Sequence, residues 1–266
     1  MVADSWKWKG KDGRTGGLLY EPGNWGDMLK LSWLFFSARW IQEECGRLDY
    51  FDPFAGQAGY PLGRLTRARY AGAALDALSG VAAFVERSVW PSAALFMRHS
   101  FTGSVTVFDS DPVRRASWRE SGVTVAEAES GWQAAKNRDA EFDTLWLIDP
   151  YDILSEWRDA LPLLVEKSRT VTVLVYIYNR SAGKPEMFSD YRLFRNRLDD
   201  ALEGRPRLLG RAASDPFLPR AHHEMLLLPS ARAAKSGSFS RLARQLETCT
   251  ASVYAAQERA AVFDSI

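Results

Sequence analysis

Two residue types that build disulfide scaffolds and metal centres are scarce in this chain. Cysteine occurs only at Cys45 and Cys249, and histidine only at His99, His222 and His223. Two cysteines are too few for a disulfide framework or a cysteine-rich zinc site. The histidines, cysteines and carboxylates also lack metal-ligand spacing. We therefore predict no metal and a reducing, cytoplasmic setting.

The chain also lacks long apolar runs and an excess of either charge. Its longest apolar candidate, residues 31–41, contains Arg39 and is shorter than the ~18–20 residues that span a bilayer. We therefore expect no membrane partner. The net charge is +1, whereas proteins that coat duplex nucleic acid are usually far more basic. Any contact with nucleic acid must then come from local patches.

The composition that is present is that of an ordinary globular protein, 46% hydrophobic and 25% charged, over 266 residues. Strand and helix patterns alternate along it, which predicts an α/β fold with a doubly wound, mostly parallel sheet. We predict one such domain over residues 19–266 and a flexible basic tail over residues 1–18. The predicted strands are residues 48–52, 105–108, 123–125, 144–148, 170–178, 207–211 and 224–228. The predicted helices are residues 28–44, 65–87, 112–120, 129–136, 153–166, 188–202 and 239–259.

Acidic residues stand where the predicted strands end. Asp52, Asp109 and Asp149 each follow an apolar strand, and Glu129 lies shortly after the strand at 123–125. Ligands of open α/β sheets bind at the carboxyl ends of the strands, so we expect these four carboxylates to line one edge. Asp109 suits ribose hydroxyls, because a carboxylate accepts two hydrogen bonds at once. The alternative is that Asp109 caps the following helix.

A glycine-containing turn follows the first strand, at residues 52–59. Gly56 and Gly59 match the second half of the dinucleotide fingerprint G-x-G-x-x-G, but Phe54 stands where the first glycine would be. Losing that glycine argues against a bound pyrophosphate. The turn is compatible with a nucleotide-like ligand that has no phosphate, such as S-adenosylmethionine.

A second turn, Asp149-Pro150-Tyr151, follows the strand at 144–148. Transfer to the exocyclic amine of a base needs an acceptor for the amine protons and an aromatic face that holds the base. The Asp149 carboxylate and the Pro150 carbonyl provide acceptors, and Tyr151 provides the face. The alternative is a strand-ending turn with a buried tyrosine.

Taken together, six motifs resemble the RlmJ-type 23S ribosomal RNA adenine-N6 methyltransferases of bacteria. The likeness keeps its order from about residue 20 to residue 230. The motifs are G-N-W-G-D-M-L-K at 23–30, D-P-F-A-G-Q-A-G at 52–59, D-S-D-P at 109–112, E-S-G-W at 129–132, I-D-P-Y at 148–151 and V-Y-I-Y at 175–178. The partner proteins of three-cysteine-motif systems share similar turns and are a second, weaker likeness.

The resemblance implies a Rossmann-like sheet of the class I methyltransferase type and S-adenosylmethionine as cofactor. The implied cofactor residues are Lys30, Asp52, Phe54, Gly56 and Gly59 at the methionine part, Asp109 at the ribose and Glu129 at the adenine. Asp149 would be the catalytic acceptor, supported by Pro150, and Tyr151 would stack on the target base. The implied reaction is methyl transfer to the N6 amine of adenine in RNA.

Departures from the family pattern keep two alternatives open. The family's I-D-P-P-Y has one proline fewer here, and its two histidines are replaced by Leu31 and Phe54. These changes favour a catalytically degenerate relative that binds nucleic acid or a partner protein. The modest net charge instead favours a methyltransferase that acts on DNA or a small molecule.

Local arginine clusters are the candidate contacts for RNA or DNA. Basic side chains bind phosphates without reading sequence, and the tail interleaves lysines with Trp6 and Trp8, a pattern that suits single strands. The alternative is solvated helix faces balanced by acids. The clusters are Arg64, Arg67 and Arg69; Arg114, Arg115 and Arg119; Arg192, Arg195 and Arg197; and Lys7, Lys9, Lys11 and Arg14 in the tail.

Overall fold

The computed structural model describes residues 22–62, 76–139, 143–150, 153–154, 156–179, 185–202, 204–212 and 222–263. The predicted tail at 1–18, the cluster at Arg64, Arg67 and Arg69, and Tyr151 lie outside these residues, so the structure does not test them.

Within the described residues, a seven-stranded sheet forms the centre of the protein. Its strands are β1 (Asp49–Asp52), β4 (Ser104–Val107), β5 (Thr124–Val125), β6 (Thr144–Ile148), β7 (Thr172–Asn179), β8 (Leu208–Ala212) and β9 (His222–Leu228). A separate hairpin pairs β2 (Gly59–Pro61) with β3 (Val89–Pro91). The order across the sheet is β5-β4-β1-β6-β7-β9-β8. The first five strands of this order, β5, β4, β1, β6 and β7, are parallel to one another. Strand β9 runs antiparallel to both of its neighbours, β7 and β8.

Helices cover both faces of the sheet. They are α1 (Trp25–Cys45), α2 (Ala82–Glu86), α3 (Ala93–Ser100), α4 (Pro112–Glu120), α5 (Gly131–Asn137), α6 (Trp157–Lys167), α7 (Pro185–Ala201) and α8 (Phe239–Phe263). Successive residues of a strand pack into two hydrophobic cores on opposite faces of the sheet. Tyr50 packs in the core that contains residues of α1, α3 and α8, and Phe51 packs in the core that contains residues of α5, α6 and α7. The predicted fold, a doubly wound and mostly parallel Rossmann-like sheet, is confirmed.

Helix α1 carries the first sequence motif to the sheet. The Asn24 side chain accepts a hydrogen bond from the Asp27 N–H at 3.0 Å and so caps the helix start. Gly46 ends the helix with φ 76°, a left-handed conformation that glycine adopts without strain. The helix starts three residues before the predicted residue 28 and ends one residue after the predicted residue 44, at the bounds that these two caps set.

Several predicted bounds need correction. The hairpin β2–β3 was not predicted, because strands of three residues are too short to show periodicity. Helix α3 was not predicted either. The predicted helix at 65–87 is described only from residue 76, where a 3₁₀ turn leads into α2. Helix α6 starts at Trp157 rather than at 153, since Ile153 and Leu154 form a turn buried in the core. No helix in the described ranges has the length and apolar character needed to cross a membrane.

Candidate active site at the carboxyl edge of the sheet

Three of the predicted carboxylates lie at adjacent strand ends. Asp52 is the last residue of β1, Asp149 follows β6, and Asp109 lies two residues beyond β4. Strand β1 pairs with β4 on one side and with β6 on the other. The chain therefore leaves β1 in one direction for β4 and β5 and returns on the other side with β6 and β7. This is the switch point at which open α/β sheets bind ligands.

Lys30 connects α1 to this edge. Its Nζ lies 2.7 Å from Asp149 Oδ2 and 3.1 Å from Asp27 Oδ1, with 10% of its side chain exposed. The same atom lies 4.9 Å from the centre of the Tyr176 ring, a cation–π contact. Burial alone would lower the pKa of Lys30, but the charges of Asp149 and Asp27 outweigh burial and hold it well above its usual value. The ammonium is therefore a permanent cation.

The spacing of the first motif explains this geometry. Asn24, Asp27 and Lys30 recur every three residues, which places them along one side of the first helical turns. Asp27 Oδ2 accepts a hydrogen bond from the Gly23 N–H at 2.7 Å, while Oδ1 faces Lys30. The cap and first turn of α1 thus fix the carboxylate that holds one side of the lysine.

Asp52 is held by neutral partners. Its Oδ1 accepts from the Phe54 N–H at 3.0 Å, and its Oδ2 accepts from the Tyr50 hydroxyl at 3.1 Å. Burial raises the pKa of Asp52 to about 7, with the nearby Asp149 charge adding to the rise. Burial also raises the pKa of Asp149, opposed by Lys30. The edge therefore concentrates negative charge around one largely buried ammonium.

The glycine turn is packed closely on both sides. Gly56 has φ 64°, and its carbonyl accepts a hydrogen bond from Trp118 Nε1 at 2.9 Å. A Cβ at this position would lie 2.8 Å from the Tyr60 hydroxyl oxygen. Gly59 begins the hairpin strand β2, and the Ala55 N–H donates to the Phe108 carbonyl at 3.0 Å. The turn thus bends back over the end of β4.

Phe54 packs beside α5. Its ring meets that of Trp132 edge to face at 4.9 Å between centroids. Gly131 allows this approach, because a side chain there would collide with the Phe54 ring. Glu129, assigned to the cofactor's adenine, is exposed and precedes Ser130, whose side chain caps α5. The structure does not test either residue's role at the cofactor.

Asp109 is buried and ordered by its own turn. Its Oδ1 accepts from the Asp111 N–H at 2.8 Å, and its Oδ2 lies 3.4 Å from Arg114 Nη1. The cap of α4 is Asp111, which accepts from the Val113 N–H at 2.8 Å. The alternative role of Asp109 as helix cap is therefore taken by Asp111. The long contact to Arg114 leaves Oδ2 capacity for further hydrogen bonds.

The second arginine cluster supports the Asp109 turn. Arg115 donates to the carbonyls of Asp109 and Ser110 at 2.6 and 2.9 Å. Arg119 pairs with the Glu127 carboxylate. The third cluster, Arg192, Arg195 and Arg197, lies on α7. Contact of these clusters with RNA or DNA stays a prediction.

Sequence reasoning missed aromatic residues around the lysine. The Tyr176 hydroxyl lies 2.7 Å from His223 Nδ1, and both side chains crowd Gly26 of α1. Tyr60 comes from the hairpin that was not predicted. Tyr176 belongs to the motif at 175–178, so the sequence signal existed for it. Pro150 follows Asp149 and is buried.

The chain matches no protein-family model and no curated protein. Among solved structures it is similar to protein LPL1258 of Legionella pneumophila, family DUF519, with 14% identity, 88% of this chain and 94% of that chain covered, and a TM-score of 0.65. A putative rRNA methylase from Clostridium thermocellum has 10% identity, with 80% of this chain and 100% of that chain covered and a TM-score of 0.43. The N-methyltransferase NodS from Bradyrhizobium japonicum has 11% identity, with 78% of this chain and 98% of that chain covered and a TM-score of 0.42. The first likeness supports the fold alone.

Proposed function

We propose that this protein is an S-adenosylmethionine-dependent methyltransferase that acts on the N6 amine of adenine in RNA. One observation carries the proposal: Asp149, the residue of the predicted catalytic turn, lies at the switch point beside Asp52 and is held by Lys30 at 2.7 Å. Three motifs that are far apart in the sequence meet there. Each of them belongs to the resemblance with the RlmJ-type enzymes.

The residues at this edge fit the cofactor chemically. Asp27 and Asp149 hold one ammonium between them, and Asp52 ends the neighbouring strand, so the cluster suits a ligand that carries positive charge, as a sulfonium does. Gly56 has no side chain and adopts φ 64°, which lets the turn bend sharply at the end of the strand. Asp109 offers an oxygen for a ribose hydroxyl. When bound, S-adenosylmethionine would supply an electrophilic methyl group on sulfur.

Asp149 would act on the substrate amine. Lys30 fixes its Oδ2, and we assign the other oxygen to accept a hydrogen bond from an amine N–H of adenine. That bond turns the nitrogen lone pair toward the methyl group, and positioning of this kind supplies much of the rate. Methylation would form an N–C bond as the methyl–sulfur bond breaks, and the amine nitrogen would then have to lose a proton. The raised pKa of Asp149 suits it to accept that proton.

A second candidate is a relative that binds the cofactor and RNA without turnover. The Lys30 contact favours it, because the ammonium already occupies one oxygen of Asp149. The shortened Asp149-Pro150-Tyr151 motif points the same way. The two candidates differ in activity, not in cofactor binding.

Calorimetry tests the first step. Wild-type protein should bind S-adenosylmethionine and S-adenosylhomocysteine, and Asp109→Ala should weaken both by on the order of 10-fold, as expected on losing hydrogen bonds to a charged group. Absence of binding to wild type would exclude both candidates.

Methyl incorporation tests the second step. Tritiated cofactor is supplied with unmodified ribosomal RNA, with DNA of matched length and without polymer. Activity on RNA that is lost in Asp149→Asn supports the proposal. Activity on DNA alone would replace the substrate class, and binding without incorporation would favour the second candidate. Equal activity of Asp149→Asn would remove Asp149 from its role.

A further inference from the structure

The first part of the glycine turn is tied to the end of β4 by backbone hydrogen bonds. The Phe108 N–H donates to the Asp52 carbonyl at 2.9 Å, and the Ala55 N–H donates to the Phe108 carbonyl at 3.0 Å. This pair of bonds fixes the turn at both Asp52 and Ala55. The next residue, Gly56, is held by a side chain that comes from another element.

Trp118 of α4 is that side chain. Its Nε1–H donates to the Gly56 carbonyl at 2.9 Å, and the indole is fully buried. Gly56 has φ 64°, and glycine has more backbone freedom than any other residue. A bond from a buried, rigid indole therefore orders the turn at a position where the chain would otherwise have much freedom to move.

The same helix holds the Asp109 turn. Arg115 donates to the carbonyls of Asp109 and Ser110 at 2.6 and 2.9 Å, and its guanidinium lies 5.6 Å from the centre of the Phe108 ring. Arg115 and Trp118 are three residues apart on α4, so they lie on the same side of the helix. Helix α4 therefore contacts two turns at once, the one predicted for the methionine part of the cofactor and the one predicted for its ribose.

A ligand that reaches from one turn to the other needs both turns at a fixed separation. The cofactor implied by the motifs is such a ligand, because its methionine part and its ribose belong to one molecule. Rotation of the peptide plane at Gly56 would change the shape of the first turn without moving the second. The apparent Kd of a ligand rises in proportion as the binding-competent conformation of the protein becomes rarer. Trp118 can therefore affect affinity through the turn that it orders, without touching the ligand.

We propose that Trp118 is a positioning residue for the cofactor, which orders Gly56 and keeps the glycine turn aligned with the Asp109 turn. This inference rests on the proposed function and deepens it, since it names the residue that prepares the cofactor site. Helix α4 then acts as the common support of both halves of that site.

Calorimetry with S-adenosylhomocysteine tests the assignment. Trp118→Phe keeps an aromatic ring in the core and removes the N–H donor. It should weaken binding by on the order of 10-fold, which corresponds to a turn that is binding-competent about one tenth of the time. The matched control is Trp40→Phe, because the buried Trp40 donates from Nε1 to the Ser238 hydroxyl at 2.7 Å, toward the far end of α1 from Lys30. The control should leave the affinity within about 2-fold, although each variant loses one hydrogen bond and should lose similar stability in urea.

Methyl transfer to RNA separates positioning from chemistry. In Trp118→Phe the KM for S-adenosylmethionine should rise by about the same factor as the Kd. The kcat should stay within about 2-fold of wild type, because saturating cofactor selects the ordered turn. A fall in kcat at unchanged KM would contradict the assignment.

The calorimetric results separate this inference from the proposed function. Wild type that does not bind S-adenosylhomocysteine would overturn the proposed function itself. If wild type binds, a Trp118→Phe protein of equal affinity would overturn the inference alone. An equal loss in Trp40→Phe would also overturn it, because a general loss of stability would then explain both variants. If Trp118→Phe is unfolded at the assay temperature, 3-benzothienylalanine at position 118 gives the same measurement, since it keeps the shape of the indole and replaces the N–H by sulfur.

Discussion

Asp52 and Asp149 are neighbours with different partners. Asp149 has an ammonium at 2.7 Å, whereas Asp52 has a tyrosine hydroxyl and a backbone N–H. A buried carboxylate with neutral partners loses hydration without gaining a counter-ion, so its charged form is disfavoured. At the residue scale, the two acids therefore differ in what a change of pH or the loss of a partner does to them.

Asp52→Asn should change how stability depends on pH. The pKa of Asp52, about 7, lies above its ordinary 3.8, so the folded state binds the proton more tightly than the unfolded state. The stability from this group is complete below about pH 4 and is lost as the pH rises through about 7. Asparagine does not titrate. The unfolding free energy of Asp52→Asn relative to wild type should therefore grow from pH 4 to pH 8, by up to about 4 kcal/mol.

Urea denaturation at four pH values from 4 to 8 measures this difference. The control is Asp200→Asn, at an exposed site of α7. Its unfolding free energy should follow that of wild type at every pH. Curves for Asp52→Asn that also stay parallel would show that Asp52 has an ordinary pKa.

Lys30→Met should destabilise the fold strongly. The change leaves the buried Asp27 and the partly exposed Asp149 without their ammonium, and breaking a buried pair such as Lys30–Asp27 costs about 3–5 kcal/mol. Adding Asp149→Asn should recover part of the loss, because one stranded charge is gone. Arg39→Met on the same helix breaks an exposed pair with Glu43 and should cost at most about 1 kcal/mol. A double-mutant cycle by urea denaturation gives the coupling, and additive losses would contradict it.

At the scale of elements, α1 approaches the sheet through a glycine. Gly26 faces the Tyr176 hydroxyl and the His223 ring, which are joined by a contact of 2.7 Å. Tyr176 in turn supports Lys30 through its ring. The distance between helix and sheet thus decides where the lysine lies relative to β6.

Gly26→Ala should therefore destabilise the protein by about 1–3 kcal/mol through overpacking. A loss of stability is informative here, because replacing glycine by alanine within a helix normally stabilises a protein by about 1 kcal/mol. Gly237→Ala, where a Cβ meets no atom within 4 Å, should change stability little. Thermal melts of the three proteins measure the effect. A gain in stability for Gly26→Ala would show that α1 has room to move.

The sequence predicted the elements whose patterns are local. β6 was expected at 144–148, where it occurs, because a fully buried strand is a continuous apolar run. The cap at Asn24 and the stop at Gly46 are local signals as well. The direction of β9 was not predictable, since the side-chain pattern of a strand reads the same in either direction. The hairpin carrying Tyr60 was missed because three residues show no period.

At the scale of the whole molecule, the topology brings distant residues together. Lys30 and Asp149 are 119 positions apart, and only the order of the strands places the start of α1 beside the end of β6. Motif order suggested that both belong to one site, but it did not indicate that they touch. Side chains at the ends of parallel strands converge by topology, whereas their pairing depends on packing across α1, which periodicity does not describe.

A ligand that binds this edge contacts several strand ends and helices, so it should stabilise the entire fold. S-adenosylhomocysteine at 100 times its Kd should add about 2.7 kcal/mol to the free energy of unfolding. For a protein of 266 residues this raises Tm by roughly 5–10 °C. NAD at the same concentration should give no shift, because Phe54 replaces the glycine at a pyrophosphate turn and the carboxylates of the edge repel phosphate. Thermal denaturation over a range of ligand concentrations measures both. An equal shift with NAD would mean that the turn accepts a dinucleotide, and the cofactor assignment would then be wrong even though the fold is right.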